Sequence, residues 1–546
     1  MKNRPWVNAY PASVPPDLED FADYETLPAF FESAFARLAE QLALKHANHD
    51  LTYLEVDRLT KEFASYLQNL GIKRGTRVAV ALPNSVHYIA VAIGTIRAGM
   101  VLVNVNPTYT PREYLAQIAD AGAEVVVVLE SQYEVTKDLL DQTAVSHAVL
   151  CDLSDSGWMR FPSPEDDGFT LAPKKAVKLS EAMTQGRRFS YSNPQIRDKD
   201  IAVLQYTGGT TGVSKGAMLT HASLLANTAQ NAAWFGPSLV NIASPTIVCA
   251  LPLYHIVSFI TLLASIKLGG RTLLISDPRD AGKMLAVLRD NSIHMLPGIN
   301  TLFGNLMNHA DFKMVDWSHL KVTTAGGMAT QPRVARRWFA LTGCNISEGY
   351  GLSETSGTVS CNPPHGNIRV DTVGLPVPST EIAILDGSEN ALPLGEIGQI
   401  AVRGPQLFSG YWGRLGEAGR YFTDDGFFLT GDLGYFDEHN YLCISGRAKE
   451  MILVSGFNVY PNEVEAVTSE LEQVLECAAV GIDDEFTGEA VKLVVVLKDS
   501  SLSEMAIREH LKANLAAYKR PKVIEFREKL PRSPVGKLLR SMLVVS

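Results

Sequence analysis

Short apolar segments alternate with helix-like segments between residues 78 and 325, and this alternation limits the fold more than any other feature. Helical spacing of apolar residues marks Tyr114–Ala121 and Ala281–Asn291. Strands that alternate with helices form mainly parallel sheets, which helices cover on both faces. The sequence therefore predicts an α/β fold. The strand candidates are Val78–Leu82, Glu124–Leu129, Ala148–Cys151, Ile201–Leu204, Thr246–Leu251, Thr272–Ile275, His294–Leu296 and Val322–Ala325.

The length and a late change of pattern predict two domains. A chain of 546 residues is too long for one ordinary core. A β-rich patch, Gly426–Ile444, ends a predicted large domain over residues 1–446, and a small, mobile α+β domain follows over residues 447–546. The polar stretch Asp152–Asp198 is expected to be an irregular surface connection. The small domain's predicted elements are helices Asn462–Leu475 and Ser503–Leu515 and strands Ala478–Gly481, Val491–Leu497 and Val523–Phe526.

Composition and charge limit the class of partner. The formal net charge of -10 disfavours non-specific nucleic-acid binding, which depends on basic patches. No run of about 18 apolar residues is present to span a bilayer, and the N-terminal residues lack the apolar region of a secretory signal. The six cysteines are scattered without a Cys-x-x-Cys pair, which is typical of reduced thiols. We expect a cytoplasmic protein that binds small molecules and no nucleic acid.

The run Tyr206–Gly216 follows a predicted strand and combines glycines, hydroxyls and one lysine. Glycines let the backbone turn tightly and aim several N–H groups at one anion, and Lys215 adds positive charge. The run is not a Walker A loop, because Val213 stands where that motif requires lysine. We expect a triphosphate site here, and a flexible surface loop is the alternative. The predicted phosphate-binding residues are Thr207, Gly208, Gly209, Thr210, Thr211, Gly212 and Lys215.

A second run, Glu348–Thr355, carries an aromatic ring, a hydroxyl and carboxylates. Tyr350 offers a flat face to adenine, and Thr355 offers a hydroxyl to a phosphate. Glu354 supplies a hard oxygen ligand, and Mg²⁺ is usually bound by one or two carboxylates together with phosphate oxygens. We therefore predict an ATP and Mg²⁺ site, with an ordinary polar loop as the alternative. The glycines assigned to this site are Gly349 and Gly351.

Together with Thr430–Asp432, Gly456–Glu465 and Pro531–Leu538, these runs resemble in order the motifs of the adenylate-forming superfamily. That superfamily includes acyl-CoA synthetases, peptide-synthetase adenylation domains and luciferases, and the resemblance covers nearly the whole chain. Gly456–Glu465 is most similar to bacterial fatty-acid–CoA ligases. The resemblance implies a two-step reaction. ATP, with Mg²⁺, and a carboxylic acid first give acyl-AMP and pyrophosphate, and coenzyme A then displaces AMP to form acyl-CoA.

The resemblance also implies roles that the residues alone do not establish. Gly326 and Gly327 correspond to the segment against adenine, Asp432 to the ribose-binding aspartate and Arg447 to a nucleotide-contacting arginine. Lys537 corresponds to the catalytic lysine, which would stabilise charge between the carboxylate and the α-phosphate. Without the resemblance, these would be ordinary turn residues and surface charges. The predicted catalytic set is Lys537, Glu354, Thr207 and His255.

Two further residues take roles in the second step by resemblance. Lys449 matches the position about which the small domain rotates, and Gly456 belongs to a stretch that would line the pantetheine tunnel of coenzyme A. The cluster of Lys519, Arg520 and Lys522 is expected either to meet coenzyme A phosphates or to be a solvated basic face.

The segment Leu251–Phe259 predicts the class of substrate. It resembles the family segment that walls the acyl pocket, and it lacks the aspartate by which amino-acid-activating relatives hold an α-amine. An apolar acyl tail of medium or long chain length therefore fits best. His255 would orient the carboxylate or gate the tunnel, and capping of a helix start is its alternative. Dicarboxylic or aryl acids, loading of a carrier protein, peripheral contact with the inner membrane and a homodimer stay open.

Overall fold

The computed structural model describes residues 4–18, 24–47, 49–155, 159, 176–207, 214–414, 416, 420–498, 502–532 and 538–544. The residues Gly208, Gly209, Thr210, Thr211, Gly212 and Lys537 lie outside the described ranges, so what was predicted for them stays a prediction. Within those ranges, every helix falls short of the length or the apolar character that a bilayer crossing requires.

The described strands fall into four sheets. In chain order they are β1 (Leu42–His46), β2 (His49–Thr52), β3 (Arg77–Ala81), β4 (Val101–Asn104), β5 (Val125–Leu129), β6 (His147–Cys151), β7 (Ala176–Lys178), β8 (Ile201–Thr207), β9 (Lys215–Thr220), β10 (Thr246–Cys249), β11 (Arg271–Leu274), β12 (Met295–Gly298), β13 (Val322–Ala325), β14 (Ile346–Leu352), β15 (Gly357–Cys361), β16 (Leu375–Pro376), β17 (Glu381–Leu385), β18 (Gly398–Arg403), β19 (Phe428–Phe436), β20 (Leu442–Arg447), β21 (Ile452–Val454), β22 (Phe457–Val459), β23 (Val474–Asp484), β24 (Gly488–Leu497) and β25 (Val523–Phe526).

The helices cover these sheets, and several begin with caps that the sequence encodes locally. Thr52 and Thr110 each form a capping box with a glutamate three residues later. The α-helices are α1 (Leu27–Arg37), α2 (Tyr53–Asn69), α3 (Val86–Arg97), α4 (Pro111–Ala121), α5 (Glu130–Leu140), α6 (Leu179–Arg187), α7 (His221–Phe235), α8 (Ile256–Lys267), α9 (Ala281–Arg289), α10 (Asn300–Asn308), α11 (Pro332–Thr342), α12 (Pro461–Thr468), α13 (Glu504–Asn514) and α14 (Ser541–Val544).

Two large, mainly parallel sheets form the body of the protein. A seven-stranded sheet has the order β7-β6-β5-β3-β4-β8-β9, and only its last pair, β8 and β9, is antiparallel. A nine-stranded sheet has the order β16-β15-β14-β13-β12-β10-β11-β1-β2. Strand β5 shows why such strands are apolar throughout. Val125 and Val127 pack into one core, while Val126 and Val128 pack into another on the opposite face.

Two smaller sheets follow along the chain. The antiparallel strands β17 to β20 form a four-stranded sheet that contains the predicted β-rich patch. The last sheet, β22-β21-β24-β23 with β25 paired to β24, packs with α12 and α13 around a core of its own. The architecture is thus a large α/β domain followed by a small α+β domain, which confirms the predicted fold class. Strand β20 ends at Arg447 and β21 begins at Ile452; the boundary at residue 446 itself stays a prediction.

All eight strand candidates of the large domain are strands, with ends that differ by a few residues. The prediction of an irregular connection over Asp152–Asp198 was wrong for residues 176–187, which form β7 and α6, and residues 156–158 and 160–175 lie outside the described ranges. The polar composition of this stretch concealed a short amphipathic helix that packs closely on α2. A Cβ on Gly186 would lie 1.8 Å from the carbonyl oxygen of Glu62, so glycine permits the contact. The predicted helix Asn462–Leu475 was too long, because β23 begins at Val474.

Candidate nucleotide site

The two ends of the glycine-rich run are held side by side by a hairpin. Thr207 ends β8 and Lys215 begins β9, and the two residues are direct partners in the antiparallel ladder. The Ser214 hydroxyl donates to the Thr207 carbonyl at 2.8 Å, and Lys215 Nζ donates to the Tyr421 hydroxyl at 2.8 Å. The hairpin therefore places the lysine at the mouth of the predicted phosphate loop, whose central residues lie outside the described part of the chain.

Tyr411 joins the phosphate-loop lysine to the predicted metal ligand. Its hydroxyl donates to Glu354 Oε1 at 2.7 Å, and Lys215 Nζ lies 5.2 Å from the centre of its ring. Burial, and then the neighbouring carboxylate of Glu354, raise the pKa of Tyr411 well above its usual range, so the hydroxyl stays a donor. Lys215 and Glu354 are 139 positions apart in the sequence, yet one aromatic side chain contacts both.

Backbone pairing explains why Tyr411 reaches this position. Residues 410–412 run beside β9, where the Met218 N–H donates to the Gly410 carbonyl at 2.9 Å and the Trp412 N–H donates to the Gly216 carbonyl at 2.8 Å. The short helix that carries Glu354 is tied to the same segment, because the Phe408 N–H donates to the Glu354 carbonyl at 2.8 Å. Glu354 is 8% exposed, so its carboxylate is held in a protected position.

Asp432 forms a second cluster with an aromatic ring and an arginine. The Tyr350 hydroxyl donates to Asp432 Oδ2 at 2.7 Å, and Arg447 Nε lies 3.0 Å from Oδ1. Asp432 and Arg447 are register partners of β19 and β20, while Tyr350 comes from β14. Burial, and then Asp432, raise the pKa of Tyr350 well above its usual range, so it donates. The structure therefore brings together three residues that were predicted to contact the nucleoside.

The glycines predicted to lie against adenine, Gly326 and Gly327, follow the parallel strand β13, and Gly326 lies beside Gly349 of the neighbouring strand β14. A Cβ on Gly326 would be 3.4 Å from the Gly349 carbonyl oxygen, and Gly327 has φ +79°, which favours glycine. Gly351 is required for a different reason. A Cβ there would lie 1.8 Å from the carbonyl oxygen of Gly357 on the neighbouring strand β15. Backbone packing thus accounts for Gly351, and its contact with a nucleotide stays a prediction.

Glu348, at the start of this run, has a perturbed carboxyl that was not assigned a role from sequence. Its Oε2 accepts the Thr330 N–H at 3.2 Å and so connects β14 to the loop after β13. Burial raises the pKa of Glu348 to about 7, and the nearby charge of Asp371 adds to that rise. The carboxyl therefore titrates near neutral pH, beside the predicted adenine segment.

Two predicted site residues take unexpected positions. Thr355 is fully buried, and its hydroxyl accepts the Leu352 N–H at 3.0 Å and lies 2.9 Å from the Gly357 carbonyl, so it is engaged in its own turn. Its phosphate contact stays a prediction. His255 is exposed at the N-cap of α8, but its side chain makes no capping hydrogen bond. His255 therefore stands at the helix start, as the capping alternative predicted, but it caps α8 only through its carbonyl, which accepts the Ser258 and Phe259 N–H groups. The role of its side chain toward the carboxylate stays a prediction.

The residues assigned to domain rotation and to the pantetheine tunnel lie at the start of the small domain. Lys449 is exposed in the turn between β20 and β21. Gly456, with φ +82°, follows Ser455, with φ +50°, and the two form the tip of the β21–β22 hairpin. Both positions are accessible, and both roles stay predictions.

The predicted coenzyme A cluster is engaged in contacts within the small domain. Lys519 pairs with Glu463, and Lys522 pairs with Asp484. The guanidinium of Arg520 donates to the Leu515 carbonyl at 2.9 Å. The two lysine charges are thus paired in this arrangement of the chain, and phosphate binding by the cluster stays a prediction.

A small, mainly apolar cavity lies beside the predicted acyl segment. It is placed between α8 and the edges of β10, β11 and β12, and Leu251 and Ser258 contribute from the segment Leu251–Phe259. Its lining residues are Ile247, Val248, Cys249, Leu251, Ser258, Thr261, Leu262, Thr272 and Pro297. Aliphatic and thiol side chains dominate this set, and the cavity is much smaller than an acyl chain, so it borders the predicted acyl segment without forming a fatty-acid pocket.

Sequence reasoning missed three polar side chains of the site. Tyr411 contacts both Lys215 and Glu354, and the Tyr421 hydroxyl accepts a hydrogen bond from Lys215. The Thr430 hydroxyl accepts the Asp432 N–H at 3.1 Å. Thr430 had a signal, since it stands directly before the glycine and aspartate that were singled out. The two tyrosines had none, because aromatic residues between turn-rich segments are usually core residues.

Comparison with known proteins agrees with this geometry. Residues 31–412 match the family described as AMP-binding enzyme, and residues 463–537 match the AMP-binding enzyme C-terminal domain. A long-chain-fatty-acid–CoA ligase from Escherichia coli O6:H1 is 42% identical, with 98% of this chain and 97% of the relative covered. The protein of the same name from Bacillus subtilis is 33% identical over 100% of this chain and 98% of its own.

A solved structure extends the comparison to three dimensions. ATP-bound MatB from Rhodopseudomonas palustris superimposes with a TM-score of 0.83 at 28% identity, covering 95% of this chain and 98% of that one. The matches of sequence and structure both run through the small domain as well as the large one. The chain therefore belongs to the family of AMP-binding enzymes.

Proposed function

We propose that this protein is an AMP-forming fatty-acid–CoA ligase. It takes ATP, a long-chain fatty acid and coenzyme A, and it releases acyl-CoA, AMP and pyrophosphate. The observation that carries the proposal is the pair of linked clusters around β14. Tyr411 joins Lys215 to Glu354, and four residues before Glu354 the Tyr350 hydroxyl contacts Asp432. Charge for phosphates (Lys215 on β9) and an acceptor for ribose hydroxyls (Asp432 on β19) thus lie at the two clusters that Glu354 and Tyr350 connect.

Glu354 is the residue that would hold Mg²⁺. Among the described residues, no three histidine, cysteine or acidic side chains gather as a metal cage. A single protected carboxylate suits Mg²⁺, because this ion takes one or two protein carboxylates and completes its shell with phosphate oxygens and water. When bound with ATP, the metal supplies charge neutralisation for the β- and γ-phosphates.

The first step joins the acid to the nucleotide. A carboxylate oxygen of the fatty acid attacks the α-phosphorus of ATP, the bond to the bridging oxygen breaks, and pyrophosphate leaves. Thr207 and Lys215 flank the loop that would hold the β- and γ-phosphates, Asp432 would accept hydrogen bonds from the ribose, and Lys537 would neutralise the charge that gathers at the α-phosphate.

The second step forms the thioester. The coenzyme A thiol loses its proton and attacks the acyl carbonyl, and AMP leaves with the former carboxylate oxygen. The small domain, residues 447–546, would turn about Lys449 between the steps, so that Gly456 replaces Lys537 at the reacting centre. His255 would orient the carboxylate or gate the acyl tunnel.

Two properties support a fatty acid over other acids. Both relatives are named long-chain-fatty-acid–CoA ligase, and the side chains of Leu251–Phe259 are mostly aliphatic and aromatic. A cytoplasmic location, peripheral contact with the inner membrane and a homodimer remain predictions.

A panel of carboxylic acids tests the proposal. Short-, medium- and long-chain fatty acids, an aryl acid and a dicarboxylic acid are each supplied with ATP and Mg²⁺, and AMP and thioester are measured with and without coenzyme A. We expect AMP and acyl-CoA in equal amounts with long-chain acids. AMP with no acyl-CoA would instead indicate a ligase that loads a carrier protein, and turnover of aryl or dicarboxylic acids alone would overturn the substrate class.

The Lys537→Ala variant tests the division of labour between the two steps. Formation of acyl-AMP should fall by about 100-fold or more, because an electrostatic contact to the transition state is lost. Thioester formation from supplied acyl-AMP should be retained. Lys529→Ala, at an exposed lysine of the same domain, is the matched control. Equal loss of both steps in a folded Lys537→Ala variant would contradict the assignment.

A further inference from the structure

Arg333 connects the large domain to the small domain through two hydrogen bonds. It lies in the first turn of α11, and its Nη1 donates to the Val474 carbonyl at 2.6 Å while Nη2 donates to the Leu475 carbonyl at 2.7 Å. Both acceptors are at the start of β23. Two neighbouring carbonyls match the fixed spacing of a guanidinium fork, so the contact defines an orientation as well as a distance.

The large domain holds the fork in this direction. Arg333 Nε donates to Gln331 Oε1 at 2.9 Å, and the Gln331 N–H donates to Asn300 Oδ1 at 3.0 Å. One residue earlier, the Thr330 N–H donates to Glu348 at 3.2 Å. The loop between Gly326 and α11 is therefore fastened at successive residues. Arg333, at the start of α11 directly after this loop, is therefore held in a fixed orientation by the large domain.

Within the small domain, the start of β23 is connected to the C-terminal segment. Glu476, the residue after Leu475, forms an ion pair with Arg532. Arg532 also pairs with Leu538 in an isolated antiparallel bridge. The start of β23 is thus hydrogen-bonded to Arg333 of the large domain. Through Glu476 it is also paired with Arg532, which stands five residues before Lys537 in the sequence.

We propose that Arg333 is a positioning residue for the formation of acyl-AMP. Its two hydrogen bonds hold the small domain in the arrangement that superimposes on ATP-bound MatB, and they would break when that domain rotates. The inference rests on the proposed function, because it assigns Arg333 to one of the two half-reactions. Within the described part of the chain, the hydrogen bonds of Arg333 go to Gln331, Val474 and Leu475, so we infer that it acts through β23. Loss of the fork should slow the first step and leave the second step intact.

The experiment separates the two half-reactions in the full-length protein. Arg333→Ala and Arg333→Lys are compared with wild type by ATP–pyrophosphate exchange with oleic acid, and by thioester formation from supplied oleoyl-AMP and coenzyme A. We expect kcat for exchange to fall about tenfold in both variants, since charged hydrogen bonds of this kind are replaced by a point charge or lost. KM for ATP and the rate of thioester formation should change less than twofold, because the fork is proposed to act only on the first half-reaction.

Matched controls keep the outcome interpretable. Arg336→Ala removes an exposed arginine from the same helix and should leave both rates at the wild-type level. Gln331→Ala, which frees Arg333 Nε, should give a weaker form of the same selective loss. Equal loss in both half-reactions, or no loss in either, would overturn the role of Arg333. Absence of AMP formation in wild type would instead refute the proposed function itself.

Discussion

The carboxyl of Glu348 makes the stability of the large domain depend on pH in a direction opposite to that of most carboxylates. Its pKa is raised from 4.5 to about 7, first by burial and then by the charge of Asp371. The folded protein therefore keeps a proton that the unfolded chain releases near pH 4.5. Between these values the folded state binds more protons, so the free energy of unfolding decreases as the pH rises.

The size of the effect follows from the two pKa values. One pKa unit corresponds to about 1.4 kcal/mol, so the rise at Glu348 amounts to about 3 kcal/mol of lost stability once the pH exceeds 7. Glu348→Gln keeps an oxygen that can accept the Thr330 N–H and removes the titration. Relative to wild type, this variant should therefore gain stability as the pH is raised from 5 to 8, with most of the gain below pH 7.

Urea unfolding at pH 5, 6, 7 and 8 measures this difference. Trp317 and Trp338 belong to the core that packs beside β13 and β14, so their fluorescence reports on the relevant sheet. The control is Glu396→Gln, an exposed carboxyl that faces water whether the chain is folded or unfolded. A wild-type minus Glu348→Gln difference that stays constant over this pH range would show that burial does not perturb Glu348, and would refute the reasoning.

Three other substitutions test separate parts of the site. Gly351→Ala should destabilise the protein by about 2–4 kcal/mol in urea unfolding, because its Cβ would lie 1.8 Å from the Gly357 carbonyl oxygen. Its matched control, Gly304→Ala in open helical space, should be neutral or stabilising. Asp432→Asn should raise KM for ATP by about tenfold or more, and an unchanged value would contradict its ribose role. Tyr411→Phe should lower pyrophosphate exchange by about three- to tenfold, whereas wild-type exchange would show that its hydroxyl does not position Glu354.

Much of the fold could be predicted because its signals are local. The strand Val125–Leu129 is apolar throughout, which is typical of a strand buried on both faces, and it lies in the middle of the seven-stranded sheet. Residues 176–187 were predicted wrongly, as part of an irregular connection, for the converse reason. A short helix in a polar stretch has little periodic signal, and packing on α2 stabilises it despite that.

Within the site, sequence alone determined which residue types occur together in short runs. The order of glycines, hydroxyls, Lys215, Glu354 and Asp432 was enough to indicate nucleotide chemistry, because a phosphate loop and a carboxylate turn are each built from adjacent residues. Only the tertiary structure decided that Tyr411 contacts both Lys215 and Glu354, and that Arg333 reaches β23. These contacts join residues dozens to well over a hundred positions apart. Residues so far apart in the chain leave no periodic pattern in the sequence. Only the packing of the sheets and domains brings them into contact.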